Sequence, residues 1–446
     1  MNFKLKLSAL FLSAVMICGV VGCAQKEADD GYKTDRYIPT EGDALAALNE
    51  DDKEIVTKAV DWAGPEGYTI VVPNGNDELM EVAETLQAWF KTNAEVELKV
   101  VTDDKAETDK EIIIGKTKRY SYSAKEGEFF AKVDGKKLIF GGGHNVTIKK
   151  AVLIYTRLTY EKGKAHTYSG SSDFVSEKMG YTYVWGDEFE SATLSSLLWD
   201  RETKMAATAE LAVDNTELTS KTENGYLKLF ALRYWDHKKA GVEFAAPWSV
   251  TTQGTMNYKY GYVEIRAKVP FIRGVWPSFW TSSPGKLAPP RATNYTIEVD
   301  VFEVFSSLDT LSPNIHKWYT DGRHTMWAVD EGNSNEWYKF ESDNLSEEYH
   351  LYGFEWTETA MTMYIDGVAY YTYDITKNFD DGETGMGGFD TTLYLIFNNH
   401  LFTQSSSYKP YTGCEVRADD LPAEYVIDWV RLYQKNDGKS QLYIKK

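Results

Sequence analysis

Two textures of hydrophobic and polar positions divide the chain. Between about residues 54 and 165, short apolar runs alternate with stretches of helical period. Tyr68–Val72 reads as a strand. Asp77–Asn93 reads as a helix, because Leu79, Val82, Leu86, Trp89 and Phe90 recur at three- and four-residue spacing behind an Asn/Asp start. Val96–Val101 and Glu111–Gly115 are predicted strands, Phe130–Gly141 a hairpin turning on Asp134-Gly135, and Asn145–Leu158 a second helix. From Tyr181 the helical period disappears. Aromatic and β-branched runs recur at Tyr226–Leu232, Tyr258–Val269, Thr296–Phe305, Leu351–Trp356, Met361–Ile365, Leu393–Phe397 and Tyr425–Tyr433, separated by Asn224-Gly225, Asp366-Gly367 and Gly387-Gly388. So many antiparallel strands in one region predict a sandwich of two packed sheets whose curled face forms a groove.

The first 50 residues fit neither texture. Lys4 and Lys6 precede a 15-residue apolar run, Leu7–Val21, too short for a comfortable spanning helix, and Val20-Val21-Gly22-Cys23 follows. This resembles the bacterial lipoprotein signal, which implies cleavage after residue 22, a lipid on Cys23 and an exported, membrane-anchored chain; a secreted protein cut elsewhere is the plainer alternative. The predicted organisation is a signal peptide at 1–22, a tether at 23–50, a small α/β domain at 51–170 and a β-rich domain at 176–437. With Cys23 acylated, only Cys414 remains as a thiol, so no disulfide within the mature chain is expected.

Composition adds two constraints. Lys and Arg number 48 against 67 Asp and Glu, for a net charge of −19. That balance excludes nucleic acid and anionic lipid as main partners, leaving the lipid anchor as the expected membrane contact. Only Trp62 and Trp89 of the 13 Trp precede residue 176, so the β-rich domain concentrates the aromatics that serve strands and line grooves. Gly141-Gly142-Gly143 lacks the Lys-Ser/Thr of a phosphate loop and is expected to be a plain turn.

The segment Thr296–Phe305 (TIEVDVFEVF) carries the candidate chemistry. Alternation along a strand puts Glu298 and Asp300 on one face and Val299 and Val301 on the other. Strict alternation would send Glu303 into the core, at prohibitive cost for a carboxylate. A β-bulge between Asp300 and Glu303 returns it to the face of the other two. Two carboxyls about 5 Å apart permit double displacement at an anomeric carbon, and a third between them separates their protonation states. The same spacing equally suits the solvated face of an edge strand.

Neighbouring segments bear on that choice. Glu298-Val-Asp300-Val-Phe-Glu303, Gly274-Val-Trp276-Pro-Ser-Phe-Trp280, Tyr260–Pro270, Asp187-Glu-Phe189 with Trp199, Phe354-Glu-Trp356, Tyr364-Ile-Asp-Gly367 and Val426–Tyr433 together resemble glycoside hydrolase family 16, over roughly residues 181 to 435. The resemblance implies a β-jelly-roll, retention of configuration, Glu298 as nucleophile, Asp300 as assisting acid and Glu303 as general acid/base. It implies Trp276 and Trp280 as sugar platforms, although Trp280 equally suits the core, and His316 near the site, where a structural histidine fits as well. No cofactor is required; several members hold a structural calcium, for which Asp428 with Glu188 is the candidate pair. The segment 51–170 resembles the small domain that precedes catalytic domains in some bacterial α-glucuronidases and hexosaminidases.

The sequence departs from many β-1,3-glucanases of the family at Thr296-Ile297, at Val304–Ser307 and at Asn398-Asn-His400, which leaves the substrate open. The expectation is a monomeric, endo-acting, retaining hydrolase of a polysaccharide, laminarin-type β-1,3-glucan first. The alternatives are a β-galactan or host-glycan hydrolase, a transglycosylase, and a non-catalytic surface glycan-binding lipoprotein.

Overall fold

The computed structural model describes residues 55, 57–202, 219–233, 244–247, 249–284, 295–306, 310–319, 321–322, 324–326, 338–339, 345–376, 389, 391–402 and 411–445. The expected signal peptide, Cys23, the tether and Gly387-Gly388 lie outside the described residues.

The first layer is a seven-stranded mixed sheet. Lys99–Thr102, Thr69–Val72, Glu111–Ile114 and Lys137–Gly142 run parallel. Glu128–Asp134, Lys164–Ser171 and Lys58–Asp61 extend it antiparallel. The strand expected from Val96 begins at Lys99, and the outer strands Lys58–Asp61 and Lys164–Ser171 carry too little apolar pattern to have been expected.

Helix Asp77–Asn93 starts where Asn76 Oδ1 accepts from the Leu79 amide, and helix Asn145–Arg157 follows His144. Their apolar stripes (Leu79, Val82, Leu86 and Phe90; Ile148, Ala151, Val152 and Tyr155) are buried with Ile70, Ile112 and Leu138 of the sheet. The triple glycine is a close approach rather than a plain turn. A Cβ on Gly141 would stand 2.2 Å from the Phe130 ring, and one on Gly143 1.8 Å from the Lys125 carbonyl oxygen.

Beyond it lies a sandwich of two packed sheets, as the strand pattern predicted, with the β-jelly-roll form that the family resemblance implied. One sheet is ordered Asp200–Glu202, Ser249–Thr251, Tyr394–Leu401, Val275–Ser282, Tyr295–Glu303, Thr310–Tyr319 and His324–Met326. The facing sheet is ordered Ser220–Glu223, Tyr226–Arg233, Ala423–Gln434, Gly261–Lys268, His350–Trp356, Ala360–Ile365 and Val368–Asp374. Both hairpin signals hold: Asn224 and Gly225 have φ of 56° and 82°, Asp366 and Gly367 of 49° and 80°, as two-residue turns between twisted strands require.

The expected strand Tyr258–Val269 is two strands, broken where Tyr260 and Gly261 take φ of 55° and 139°. The first half, Met256–Lys259, pairs with Gln441–Ile444, beyond the expected end of the domain at 437. Phe279, Val299, Phe302 and Phe397 from one sheet meet Leu229, Ile265, Phe354 and Val430 from the other in the principal core. Burial of this kind stabilises by roughly 25 cal/mol per Å² of apolar surface. It is the main source of stability here, since Cys414 is a free, buried thiol.

Candidate active site

Strand alternation decides what the curled sheet presents. On Val275–Ser282, Phe279 enters the core, which leaves Trp276, Ser278 and Trp280 on the outer, groove face. On Tyr295–Glu303, Ile297 and Val299 enter the core and Glu298 and Asp300 take the groove face. The predicted bulge is present. Phe279 pairs with Phe302 and Trp280 with Asp300, so one residue is inserted on the carboxylate strand. On its other side Asp300 pairs with Asn314 and Glu303 with Ser312. Val301 and Phe302 are both fully buried, and the extra residue returns Glu303 to the row of acids.

Each acid of the row faces one nitrogen-bearing ring from a neighbouring strand. Trp276 Nε1 donates to Glu303 Oε1 at 2.9 Å. Trp318 Nε1 donates to Glu298 Oε2 at 3.1 Å. His316 Nε2 stands 3.0 Å from Asp300 Oδ2, and His316 and Asp300 are both buried. The edge-strand alternative is thereby excluded: the carboxylate strand is paired on both sides and lies inside the sheet.

Burial and mutual repulsion hold protons on this row. Burial, then the charge of Asp300, pushes Glu298 up to about 8, against the opposing pull of His316 and the Trp318 N–H. Glu303 is likewise held well above the ordinary carboxylate range, by burial and by the charges of Asp300 and Glu298, with only the Trp276 N–H favouring its ionised form. Burial draws His316 down, but the hydrogen bond and charge of Asp300, with Glu298, outweigh it and raise its pKa overall. The arrangement can keep one carboxyl protonated while another ionises, as general acid and nucleophile require.

The two predicted platforms differ in their supports. Trp276 stacks on Phe402, centroids 4.8 Å apart and planes 7° from parallel, so one face is covered and its N–H is committed to Glu303. Trp280 donates to Asn398 Oδ1 at 2.6 Å, and Ser278 Oγ donates to the same oxygen at 2.7 Å. Trp280 is half-buried on the groove face rather than a core residue. Gly274, which opens this strand, has φ of 84°, and a Cβ there would stand 2.1 Å from Val416 Cα.

The proposed calcium pair does not fit a cation. The Asp428 carboxylate is paired with Arg266, and Glu188 receives Nε and NH2 of Arg431, both at 2.8 Å. Among the described residues, the one group of three acidic or imidazole side chains with ligand atoms within 4.8 Å of one another is Glu298, Asp300 and His316, inside the acid row itself.

Three groove residues escaped the sequence reading: Trp318, His324 and Asn398. Trp318 lies two residues beyond His316 on the same strand, but its partnership with Glu298 depends on cross-strand register. Asn398 was visible only as a departure from a Gly-rich pattern.

Comparison with known proteins follows the same segment. Residues 203–387 match the family model described as Glycosyl hydrolases family 16. The chain is 27% identical over 273 residues to glucan endo-1,3-beta-glucosidase A1 of Niallia circulans, covering 57% of this chain and 38% of that protein. It is 25% identical over 269 residues to the keratan-sulfate endo-1,4-beta-galactosidase of Sphingobacterium multivorum, covering 57% of this chain and 55% of that protein. The chain therefore spans about two fifths to a little over half of these relatives' length. Among solved structures, the laminarinase from Flavobacterium sp. UMI-01 aligns with a TM-score of 0.42 at 23% identity, over 57% of this chain and 100% of that one.

Proposed function

We propose that this chain, whose residues 203–387 match the glycosyl hydrolase family 16 model, is an endo-acting, retaining glycosidase that cuts internal β-linkages of a polysaccharide, a laminarin-type β-1,3-glucan first. The observation that carries the reading is the row Glu298, Asp300 and Glu303, each acid with its own ring partner from an adjacent strand. A glycan-binding protein would have no use for two half-buried carboxyls tuned separately.

In the proposed cycle Glu298 attacks the anomeric carbon as Glu303 gives its proton to the departing glycosidic oxygen, so the C–O bond breaks as a glycosyl ester forms. Water then attacks the same anomeric carbon, giving its proton to Glu303, so that the C–O bond to Glu298 breaks and the sugar leaves with its original anomeric configuration. Asp300, between them, disfavours a second charge on its neighbours and keeps the acid protonated. Trp276 and Trp280 supply indole surface on the groove side of the acids.

The test is a panel of laminarin, mixed-linkage glucan and β-galactans, with products followed by size and by anomeric NMR. The keratan-sulfate galactosidase relative keeps the β-galactans on the panel. Wild type should release oligosaccharides with the β-anomer formed first, and Glu298→Ala should lose activity by at least about 10³-fold. An inverted first product, or equal activity in the variant, overturns the mechanism; binding without cleavage on every substrate favours a glycan-binding role.

The same reading places the enzyme outside the cell on a lipid attached to Cys23, supported by the basic start, the apolar run Leu7–Val21 and the small residues before the cysteine. Replacing Cys23 with Ala should abolish fatty-acid labelling and release the protein from membranes. Among the described residues no helix is long and apolar enough to cross a membrane.

A further inference from the structure

The short strand His324–Met326 lies at the groove edge, outside the motifs that identify the acids. It pairs antiparallel with Thr310–Tyr319, putting His324 directly opposite Trp318 and diagonal to His316. On one face of a strand pair both neighbours are within reach of a ring. His324 uses both. Its ring lies parallel to Trp318, centroids 3.6 Å apart and planes 3° apart. Its Nε2 is 2.8 Å from His316 Nδ1.

Each partner in turn touches an acid. Trp318 donates to Glu298, and His316 faces Asp300. A hydrogen bond between two imidazole nitrogens needs one proton between them, so the state of one ring fixes that of the other. When His316 is charged it donates toward both Asp300 and His324, and His324 must be neutral with Nε2 as acceptor. When His316 is neutral with its proton on Nε2, toward Asp300, His324 must supply the proton from its own Nε2. Both arrangements keep an N–H directed at Asp300.

We propose that His324 is a positioning residue of the hydrolytic site: by stacking on Trp318 and hydrogen-bonding His316, it holds the two groups that orient Glu298 and Asp300. This rests on the hydrolase reading above. It assigns a role to a residue that touches none of the acids, and it predicts separable contributions from ring and nitrogen.

Three variants of the full chain separate them. His324→Phe keeps an aromatic ring against Trp318 and loses the nitrogen; His324→Gln keeps an acceptor and donor for His316 and loses the ring; His324→Ala loses both. On the polysaccharide that wild type cleaves, kcat should fall about tenfold for Phe and for Gln and about a hundredfold for Ala, with KM within about twofold. Imidazole NMR of the unliganded protein should show the His316 titration displaced in Phe and Ala and closer to wild type in Gln. A residue serving only to hold the edge strand would lower the melting temperature and kcat in parallel across all three, with no rescue by Gln or Phe, and that result overturns the proposal. Wild-type kcat in His324→Ala, or an unchanged His316 titration in His324→Phe, overturns it too. A wild type inactive on every polysaccharide instead overturns the hydrolase reading, and the role of His324 falls with it.

Discussion

The three acids differ in what surrounds them, and two consequences follow at the scale of single residues. Glu298 has a folded-state pKa of about 8 against an ordinary 4.5, from burial first and Asp300 second. Between those pH values the folded chain holds a proton that the unfolded chain has released, so this group removes stability as pH rises through that window. Glu298→Gln deletes the titration. The variant should be more stable than wild type at pH 8, by roughly 4 kcal/mol, and nearly equal to it at pH 4, where the carboxyl is mostly protonated in both states. Thermal unfolding followed at both pH values checks the sign; a variant less stable than wild type at pH 8 refutes it. Glu303 has one stabiliser of its charged form, the Trp276 N–H. Trp276→Phe keeps an aromatic ring beside Phe402 and removes that donor, so Glu303 should hold its proton to higher pH. The alkaline limb of kcat/KM should move upward, with kcat reduced by about tenfold because the carboxyl is less well oriented. A limb that moves down, or does not move, would show that the indole N–H does not tune the acid.

At the scale of strands, the groove is held by pairings across Val275–Ser282. Asn398, opposite Ser278, accepts from Ser278 Oγ and Trp280 Nε1 and donates from its amide nitrogen to the Trp276 carbonyl at 3.3 Å. Its neighbour Asn399, fully buried on the other face, donates to the Leu229 and Ala423 carbonyls of the opposite sheet. Asn398→Leu should leave the buried Ser278 hydroxyl and the half-buried Trp280 N–H without this acceptor and cost about 2 kcal/mol of stability. It should raise KM several-fold through a loosened Trp280, with a smaller change in kcat; denaturant titration and steady-state kinetics measure the two effects. This strand also marks the limit of what the sequence discloses. The bulge before Glu303 was legible, because a carboxylate among Val299, Val301 and Phe302 has no low-energy alternative. The break at Tyr260-Gly261 was not: both halves share one apolar pattern, and which partner strand each meets is a tertiary matter. For the same reason the acids were readable as a row, while their ring partners, contributed by the two neighbouring strands, became assignable only with the register in hand.

At the scale of the whole molecule, the α/β layer reads from sequence as a small separate domain, yet it is tied to the sandwich by charges buried between them. Lys150 Nζ and Arg157 NH2, both on helix Asn145–Arg157, approach the Glu190 oxygens at 3.2 and 2.7 Å, and all three side chains are buried. Beside them the His144 ring packs on Phe174, and Arg431 of the sandwich reaches Asp173 in the connecting segment. None of this is local in sequence: helix periodicity marks Lys150 and Arg157 as surface positions, and only the position of Glu190 makes them interior. A buried ion group of this kind repays its desolvation only while complete. Glu190→Ala would remove the buried carboxylate that both cations approach. The expected cost is about 3–5 kcal/mol, concentrated at the contact between the layers. Calorimetry should then resolve two unfolding transitions where wild type has one, and proteolysis should open the connecting segment near residues 172–176. Replacing Lys150 and Arg157 by Met together with Glu190→Leu should recover much of the loss, because an apolar contact of similar volume carries no desolvation cost. If Glu190→Ala alone leaves a single transition at the wild-type temperature, the buried charges are not what joins the two layers, and the aromatic packing of His144, Phe174 and Tyr183 must carry the contact instead.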